Sequence, residues 1–152
     1  MIHEELNFLS DEQCNFCINF FENSNEKSIF QTNYIVNLVD KPKSEDIFKI
    51  IKKKLTLHIH NIEKNCFINY SQIVKYLNGN KKSEHYDFDY HPYTSIIYLN
   101  DNYKGGETVV EDKIIKPVKG KILTFPGNKL IHKVNETFNE RYTISTWYKK
   151  YE

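Results

Sequence analysis

From Phe67 to the end, turn signals recur every few residues: Asn78-Gly79-Asn80, Asp101-Asn102, Gly105-Gly106, Pro117 with Gly120, and Pro126-Gly127-Asn128. These breakers punctuate a texture of short strands rather than of long helices. The apolar and β-branched runs predict strands at about 69–77, 84–88, 93–100, 106–111, 120–125, 130–135 and 140–149. Short strands at such close spacing point to a sandwich or barrel, the class to which jelly rolls belong.

The first third has a different texture. A weak alternation over residues 2–8 predicts a short strand. Ser10, with Gln13 three residues on, forms a capping box for a helix reaching about Glu22. Cys14, Cys17, Ile18 and Phe21 fall on one stripe of that helix, so Cys14-x-x-Cys17 reads as core packing rather than a redox or zinc pair. Ile29 to Val39 predicts a strand that Pro42 ends, and Ser44 caps a second helix over about 45–63. His58 and His60 lie two apart on that helix and do not share a face, which argues against a metal pair there. Helices first and strands afterwards give an α+β fold, with the helices packed on one sheet. The expected organisation is a single domain, 1–152, with about 1–66 as helical support and 67–149 as the strand-rich core. A chain of 152 residues buries roughly 68–70% of its unfolded surface, enough for one core.

Composition excludes several classes. A formal charge of +1 carries no basic excess for general nucleic-acid binding. No apolar run reaches the ~18 residues of a membrane span. Met1-Ile2-His3-Glu4-Glu5 lacks the regions of a signal peptide, and three cysteines make no disulfide framework. The expected location is the cytoplasm. The chain has no alanine and uses lysine at all but one of its 21 basic positions, the bias of an AT-rich genome such as that of a virus, a phage or some bacteria. For a viral protein the location becomes the host cytoplasm.

The chemistry is carried by His85-Tyr86-Asp87. In an extended segment, residues two apart face the same side. With His132, 45 residues after Asp87, the set offers two imidazole nitrogens and one carboxylate. That set holds Fe(II) on one face and leaves three positions open. A structural zinc site would ordinarily require a fourth protein ligand, and none is evident. Nine residues beyond His132 stands the sole arginine, Arg141, on a strand face with Thr143, Ser145 and Trp147. A cation among partly apolar neighbours needs an anion opposite it, and the planar guanidinium grips a carboxylate through two parallel hydrogen bonds. No acid on that face is an obvious partner, so a ligand carboxylate is the candidate. A remote Asp or Glu is the alternative. Gln72, Val74 and Tyr76 share one strand face, as do Thr94, Ile96 and Tyr98, and both tyrosines are candidates to point inward.

This ordered set resembles the 2-oxoglutarate- and Fe(II)-dependent dioxygenases, specifically the prolyl 4-hydroxylase-like branch, over nearly the whole chain. Asn7 to Cys14 resembles that branch's strand-to-helix opening. Gln72 to Tyr76 precedes the metal motif as a similar strand does there. Ser95 to Asn100, followed by Gly105-Gly106-Glu107-Thr108, resembles its central strand pair, and Arg141 to Tyr148 its last core strand. The resemblance implies a double-stranded β-helix (jelly roll) with Fe(II) on His85, Asp87 and His132, and 2-oxoglutarate and O2 as cosubstrates. Ascorbate is a further candidate. It implies that Arg141 binds the distal carboxylate with Tyr98 and Ser145, and that Tyr76 lines the same pocket. Val134 and Trp147, inward by alternation from His132 and Arg141, are candidate pocket walls with Thr108, and core packing is the alternative for them. Oxidative decarboxylation of 2-oxoglutarate would be coupled to C–H hydroxylation. Asp87 favours hydroxylation over halogenation, since related halogenases carry a small residue there. Nucleic-acid demethylases of the wider superfamily carry a second arginine six residues after the first, where this chain has Trp147, so nucleic acid is disfavoured. The implied partner is a proline-containing protein or peptide, contacted by 78–83 and 88–93. A free amino acid or a non-catalytic metal-binding module is the rival, and the sequence assigns no oligomeric state.

Overall fold

A computed structural model of the chain describes residues 1–25, 27–30, 33–38 and 46–152. Ser10 opens α1 (Asp11–Asn23) as predicted. Its hydroxyl accepts from the Gln13 N–H (3.2 Å), and Gln13 Oε1 accepts from the Ser10 N–H (2.9 Å). Ser10→Ala removes the cap and is expected to cost about 1 kcal/mol. For a chain of this size that is a fall of ~2–4 °C in melting temperature, read by calorimetry. Cys14, Cys17 and Phe21 are buried on the inner face. Burial raises the Cys14 thiol pKa to about 11 and that of Cys17 to about 12, so both are packed thiols. The second helix is α2 (Asp46–Ile62), inside the predicted limits; the predicted cap Ser44, Pro42 and Val39 lie outside the described residues.

Thirteen strands are described: β1 (His3–Glu5), β2 (Ser28–Phe30), β3 (Asn33–Asn37), β4 (Cys66–Tyr76), β5 (Lys82–His85), β6 (Tyr93–Tyr98), β7 (Lys104–Gly105), β8 (Thr108–Val110), β9 (Lys113–Ile115), β10 (Ile122–Phe125), β11 (His132–Val134), β12 (Thr137–Phe138) and β13 (Arg141–Lys150). Among the described residues they form a seven-stranded sheet, β1-β10-β6-β13-β4-β3-β2, a four-stranded sheet, β5-β11-β8-β9, and the small pair β12-β7. Every pairing is antiparallel. This is an α+β fold with a jelly-roll core.

The strand pattern departs from expectation in instructive places. Ile29 and residues 33–37 are not one strand but the two arms of an antiparallel pair, Ser28↔Ile35 to Phe30↔Asn33. The first 66 residues are therefore more than helical support: β1, β2 and β3 extend the large sheet on both sides. The strand expected at 106–111 begins at Thr108, because Gly105 and Gly106 take positive φ (70° and 65°) and turn the chain out of the sheet. A side chain at Gly105 would lie 2.1 Å from the Glu136 carbonyl oxygen, which makes glycine obligatory there.

β13 is buried on both faces. Tyr142, Ile144, Thr146 and Tyr148 face the helices, whose stripes meet Val36, Ile73, Ile97 and Ile122 in the main core. Arg141, Thr143, Ser145 and Trp147 face the other sheet. In register they stand beside Tyr76, Val74, Gln72 and Tyr70 of β4. Between the sheets, Ile96, Tyr98, Leu123 and Phe125 pack on Val110 and Ile115. No helix among the described residues is long and apolar enough to cross a membrane.

α2 is tied to the large sheet by a buried polar chain. His58 Nε2 and Thr124 Oγ1 share a hydrogen bond (2.8 Å), Thr124 meets Ser95 (2.7 Å), and Ser95 meets the Tyr148 hydroxyl (2.8 Å). Burial holds the His58 pKa below its ordinary value, against the smaller raising effect of Glu5. The unfolded chain therefore binds this proton more readily. Stability is expected to be intact above the ordinary histidine pKa of about 6.5 and to be lost as pH falls below it toward the folded value. Urea unfolding at pH 7.5 and 5.5 tests this. The decline should be shallower in His58→Gln.

Candidate metal centre

The strand ladder of the small sheet brings the two histidines together. His132 stands directly opposite His85 in the β11–β5 pairing, with ring centroids 4.3 Å apart. Asp87 is not on the strand, as the sequence predicts, but in the loop after β5. Its N–H donates to the Gly127 carbonyl (2.9 Å), which turns the chain back toward the histidines. Asp87 Oδ1 lies 3.7 Å from His85 Nε2 and 3.2 Å from His132 Nε2, and the three donor atoms lie within 4.8 Å of one another.

Each imidazole donates from Nδ1 to the backbone carbonyl two residues before it, His85 to Ser83 (2.8 Å) and His132 to Leu130 (2.9 Å). A carbonyl can only accept, so the proton sits on Nδ1 and each neutral ring turns a bare Nε2 lone pair inward. Burial lowers the His85 pKa, which keeps this lone pair available, while the carbonyl of Ser83 and the charge of Asp87 oppose the shift. Burial alone would raise the Asp87 pKa, but His132, Thr94 and His85 together hold it below the ordinary carboxylate value. Two lone pairs and a carboxylate oxygen facing one point repel each other until a cation stands between them. Cis ligands around an ion held at ~2.1 Å lie ~3 Å apart; the Asp87–His132 separation of 3.2 Å is near that, and the wider ones must close slightly around an ion. The donor set fits Fe(II).

The second carboxylate oxygen of Asp87 is gripped. Thr94 Oγ1 donates to Oδ2 in a short hydrogen bond. Beside this bond lies Gly127, where an added Cβ would stand 2.2 Å from Oδ2 and 2.9 Å from Thr94 Oγ1. The slot leaves Oδ1 for the histidine side.

One cavity of about 110 Å³ joins this cluster to Arg141. Arg141 is 2% exposed; its guanidinium lies over the rings of Tyr76 (4.9 Å) and Tyr98 (5.6 Å), and donates from Nε to the Gly106 carbonyl (2.9 Å) and from NH2 to Thr108 Oγ1 (3.3 Å). Tyr98 and Thr108 hydroxyls meet at 2.6 Å. Among the described residues no carboxylate pairs with Arg141; its neighbour Glu140 pairs with Lys75 instead. A cation this deeply buried, held by neutral acceptors only, is arranged to receive an anion.

Of the expected site residues, Tyr76, Val134, Ser145 and Trp147 line the cavity with the metal cluster and Arg141. Thr108 lines it too, but as a partner of the guanidinium and of Tyr98 rather than a plain wall. Sequence reasoning missed Gly127, noted only as a turn breaker, and the hydrogen bond of Thr94. It also missed Asn33 and Lys82, which line the same cavity from β3 and β5. Pro126-Gly127-Asn128 does signal a tight turn, but nothing local says that the turn abuts Asp87.

A sequence model of the 2OG-Fe(II) oxygenase superfamily matches residues 71–149, which include all of these residues except Asn33. No curated protein sequence matches the chain. Among solved structures, the viral collagen prolyl hydroxylase of Paramecium bursaria Chlorella virus-1, in its 2OG complex, superposes with a TM-score of 0.84 at 21% identity, covering 99% of this chain and 96% of that one. A Pseudomonas putida prolyl-4-hydroxylase gives 0.81 at 16% identity, covering 99% and 93%. A Trichoplax adhaerens prolyl hydroxylase, bound to a hypoxia inducible factor oxygen degradation domain peptide fragment, gives 0.84 at 20% identity, covering 98% and 83%. At these identities the likeness establishes the shared fold, and the sequence match establishes the family: the chain belongs to the 2OG-Fe(II) oxygenase superfamily.

Proposed function

We propose that this chain is a prolyl 4-hydroxylase-like dioxygenase acting on peptidyl proline, with His85, Asp87 and His132 as Fe(II) ligands and Arg141 as the anchor of 2-oxoglutarate. The observation that carries this reading is the pairing, in one cavity, of a two-histidine, one-carboxylate cluster with a buried arginine that has no carboxylate partner among the described residues. Iron, when bound, supplies the oxidative chemistry: decarboxylation of 2-oxoglutarate to succinate and carbon dioxide, with one oxygen atom of O2 inserted into a substrate C–H bond.

The chain's own residues supply position and shelter. The Nδ1 hydrogen bonds of His85 and His132 fix the rings so that both Nε2 atoms face the metal. Thr94 and Gly127 hold Asp87 to one oxygen, which leaves room for other ligands. Arg141 takes the distal carboxylate of 2-oxoglutarate, with Tyr98 and Ser145 beside it and Tyr76 on the facing wall. Apolar Val74, Ile96, Phe125 and Val134 keep the cavity dry. Trp147 forms the wall on the substrate side. A peptide substrate is supported by the neighbours named as prolyl hydroxylases, one of them solved with a peptide. We assign residues 1–152 to one catalytic domain. We place it in a reducing cytoplasm, consistent with three free, buried cysteines.

Anaerobic addition of Fe(II) and 2-oxoglutarate is expected to give a visible charge-transfer band, and EDTA to abolish both band and turnover. No band at saturating concentrations would sink the proposal. Succinate formation should rise with proline-containing peptides and not with free amino acids. The reverse result would move the assignment to a small-molecule hydroxylase.

A further inference from the structure

The small sheet carries an irregularity that the iron chemistry leaves unused. Between β11 and β5 the pairing passes from His132↔His85 to Val134↔Lys82. That is two residues along β11 but three along β5, so one residue of β5 is bulged out of the ladder. In a regular strand, residues three apart face opposite sides. The extra residue cancels this, and Lys82 and His85 both line the reaction cavity. Ser83 and Glu84, between them, are exposed, and the Ser83 carbonyl accepts the Nδ1 hydrogen bond of His85. Bulges beside reaction centres re-aim side chains, and here the side chain brought inward is a cation.

Lys82 stands toward the open end of the cavity. Arg141 and His132 are 2% and 6% exposed, whereas His85 and Lys82 are only partly buried. The deep end therefore belongs to the anchor of 2-oxoglutarate, and the Lys82 end meets what enters after it. Burial pulls the Lys82 pKa below its ordinary value while the charge of Asp87 opposes the shift, the mark of an ammonium that has given up part of its water. Among the described residues, the charged side chains lining the cavity are Lys82, Asp87 and Arg141, two cations and one carboxylate beside two neutral histidines. The charges of Fe(II) and of 2-oxoglutarate cancel, so the loaded cavity keeps one positive charge. An excess charge in a partly dry cavity favours a ligand of opposite sign and raises its local concentration.

We propose that Lys82 is a specificity-determining residue, selecting substrates that carry a carboxylate close to the carbon that is hydroxylated. This rests on the peptidyl-proline reading above, in which the carboxylate belongs to an acidic residue beside the target proline. A terminal carboxylate offers the same chemistry from a shorter ligand. Lysine suits the task. Its ammonium is a compact charge on a flexible stem and can follow a carboxylate through a range of positions, whereas the planar fork of Arg141 demands one geometry.

The test uses peptides with one proline flanked on either side by glutamate or by glutamine. Binding to the Mn(II)- and 2-oxoglutarate-loaded protein is read by calorimetry, and hydroxylation by the iron form through mass spectrometry. Glutamate is expected to lower Kd and KM by about five- to tenfold, between the effect of an exposed ion pair and that of a buried one. The advantage should shrink at high salt. Lys82→Gln should abolish it, Lys82→Arg should retain it, and Lys82→Glu should transfer it to lysine-flanked peptides, with melting temperatures checking each fold. Equal affinity for glutamate and glutamine peptides, or an advantage that survives in Lys82→Gln, overturns the proposal. So does a Lys82→Gln protein that loses more affinity for 2-oxoglutarate than for peptide, since the lysine would then serve the cosubstrate. Free proline and proline-terminated peptides, each compared with its amide, locate the carboxylate. Binding of free proline that depends on Lys82, with no peptide bound, keeps the subsite and sinks the peptidyl reading. Binding of none of these ligands overturns the subsite.

Discussion

Arg141→Lys is expected to weaken 2-oxoglutarate binding by ~10- to 100-fold, since one charge-assisted hydrogen bond is worth about 1.5–3 kcal/mol. Lysine keeps the charge but not the shape. The guanidinium lies over the rings of Tyr76 and Tyr98, and its Nε and NH2 groups reach Gly106 and Thr108. An ammonium on a flexible stem can neither stack in this way nor offer two parallel donors to a carboxylate. It also leaves the Gly106 carbonyl without its partner. Titrating 2-oxoglutarate into the anaerobic Fe(II) protein reads the change directly. Iron affinity should stay within about twofold, because the arginine touches none of the three metal-site side chains. Pyruvate, which keeps the keto acid and lacks the distal carboxylate, separates capture from packing: its binding should be nearly the same in both proteins. An unchanged affinity for 2-oxoglutarate would make Arg141 a structural residue.

Gly127→Ala should damage the metal site without replacing any of its three side chains. Its Cβ would stand 2.2 Å from Asp87 Oδ2 and 2.9 Å from Thr94 Oγ1. One of the two must move, and either movement breaks the hydrogen bond that aims Oδ1. Crowding of this kind costs ~1–3 kcal/mol in the fold. Loss of a supporting contact to a ligand typically lowers metal affinity by ~10–100-fold. Competition with a chelator of known affinity measures the second effect, and melting of the metal-free protein the first. Gly79→Ala is the matched control: it lies in open space, so only its positive φ of 90° is penalised and iron binding should be untouched. Wild-type iron affinity in Gly127→Ala would show that the grip on Asp87 is dispensable.

The cluster of His85, Asp87 and His132 and the buried Arg141 beside it were legible in the sequence because each is marked by something local. His85 and Asp87 are two residues apart, and the sole arginine stands out in a chain otherwise reliant on lysine. The strand alternation that placed Arg141, Ser145 and Trp147 on one face also survives in the structure, because the pairing with β4 runs unbroken from Arg141 to Trp147 and β6 flanks the strand from Thr143 onward. What was not legible depends on contacts between distant segments. Asp87 reaches its position through the carbonyl of Gly127, forty residues away. Asn33 enters the cavity only because β3 pairs with β4. The break between β2 and β3, where periodicity predicted one strand, shows the limit of the same signal: a hairpin and a single strand share one alternation.

β13 has a further consequence, for how such a protein can change over time. Its inward face sets the spacing between the arginine and the tryptophan, six residues or ~20 Å of extended chain. Its outward face is locked into the helical core. Adding or removing one residue between Arg141 and Trp147 would swing every later side chain to the opposite face, carrying Trp147 into the core and Tyr148 toward the metal. Descendants of this chain can therefore exchange residues along the strand but cannot change its length, and new substrate preferences must arise in the loops around it.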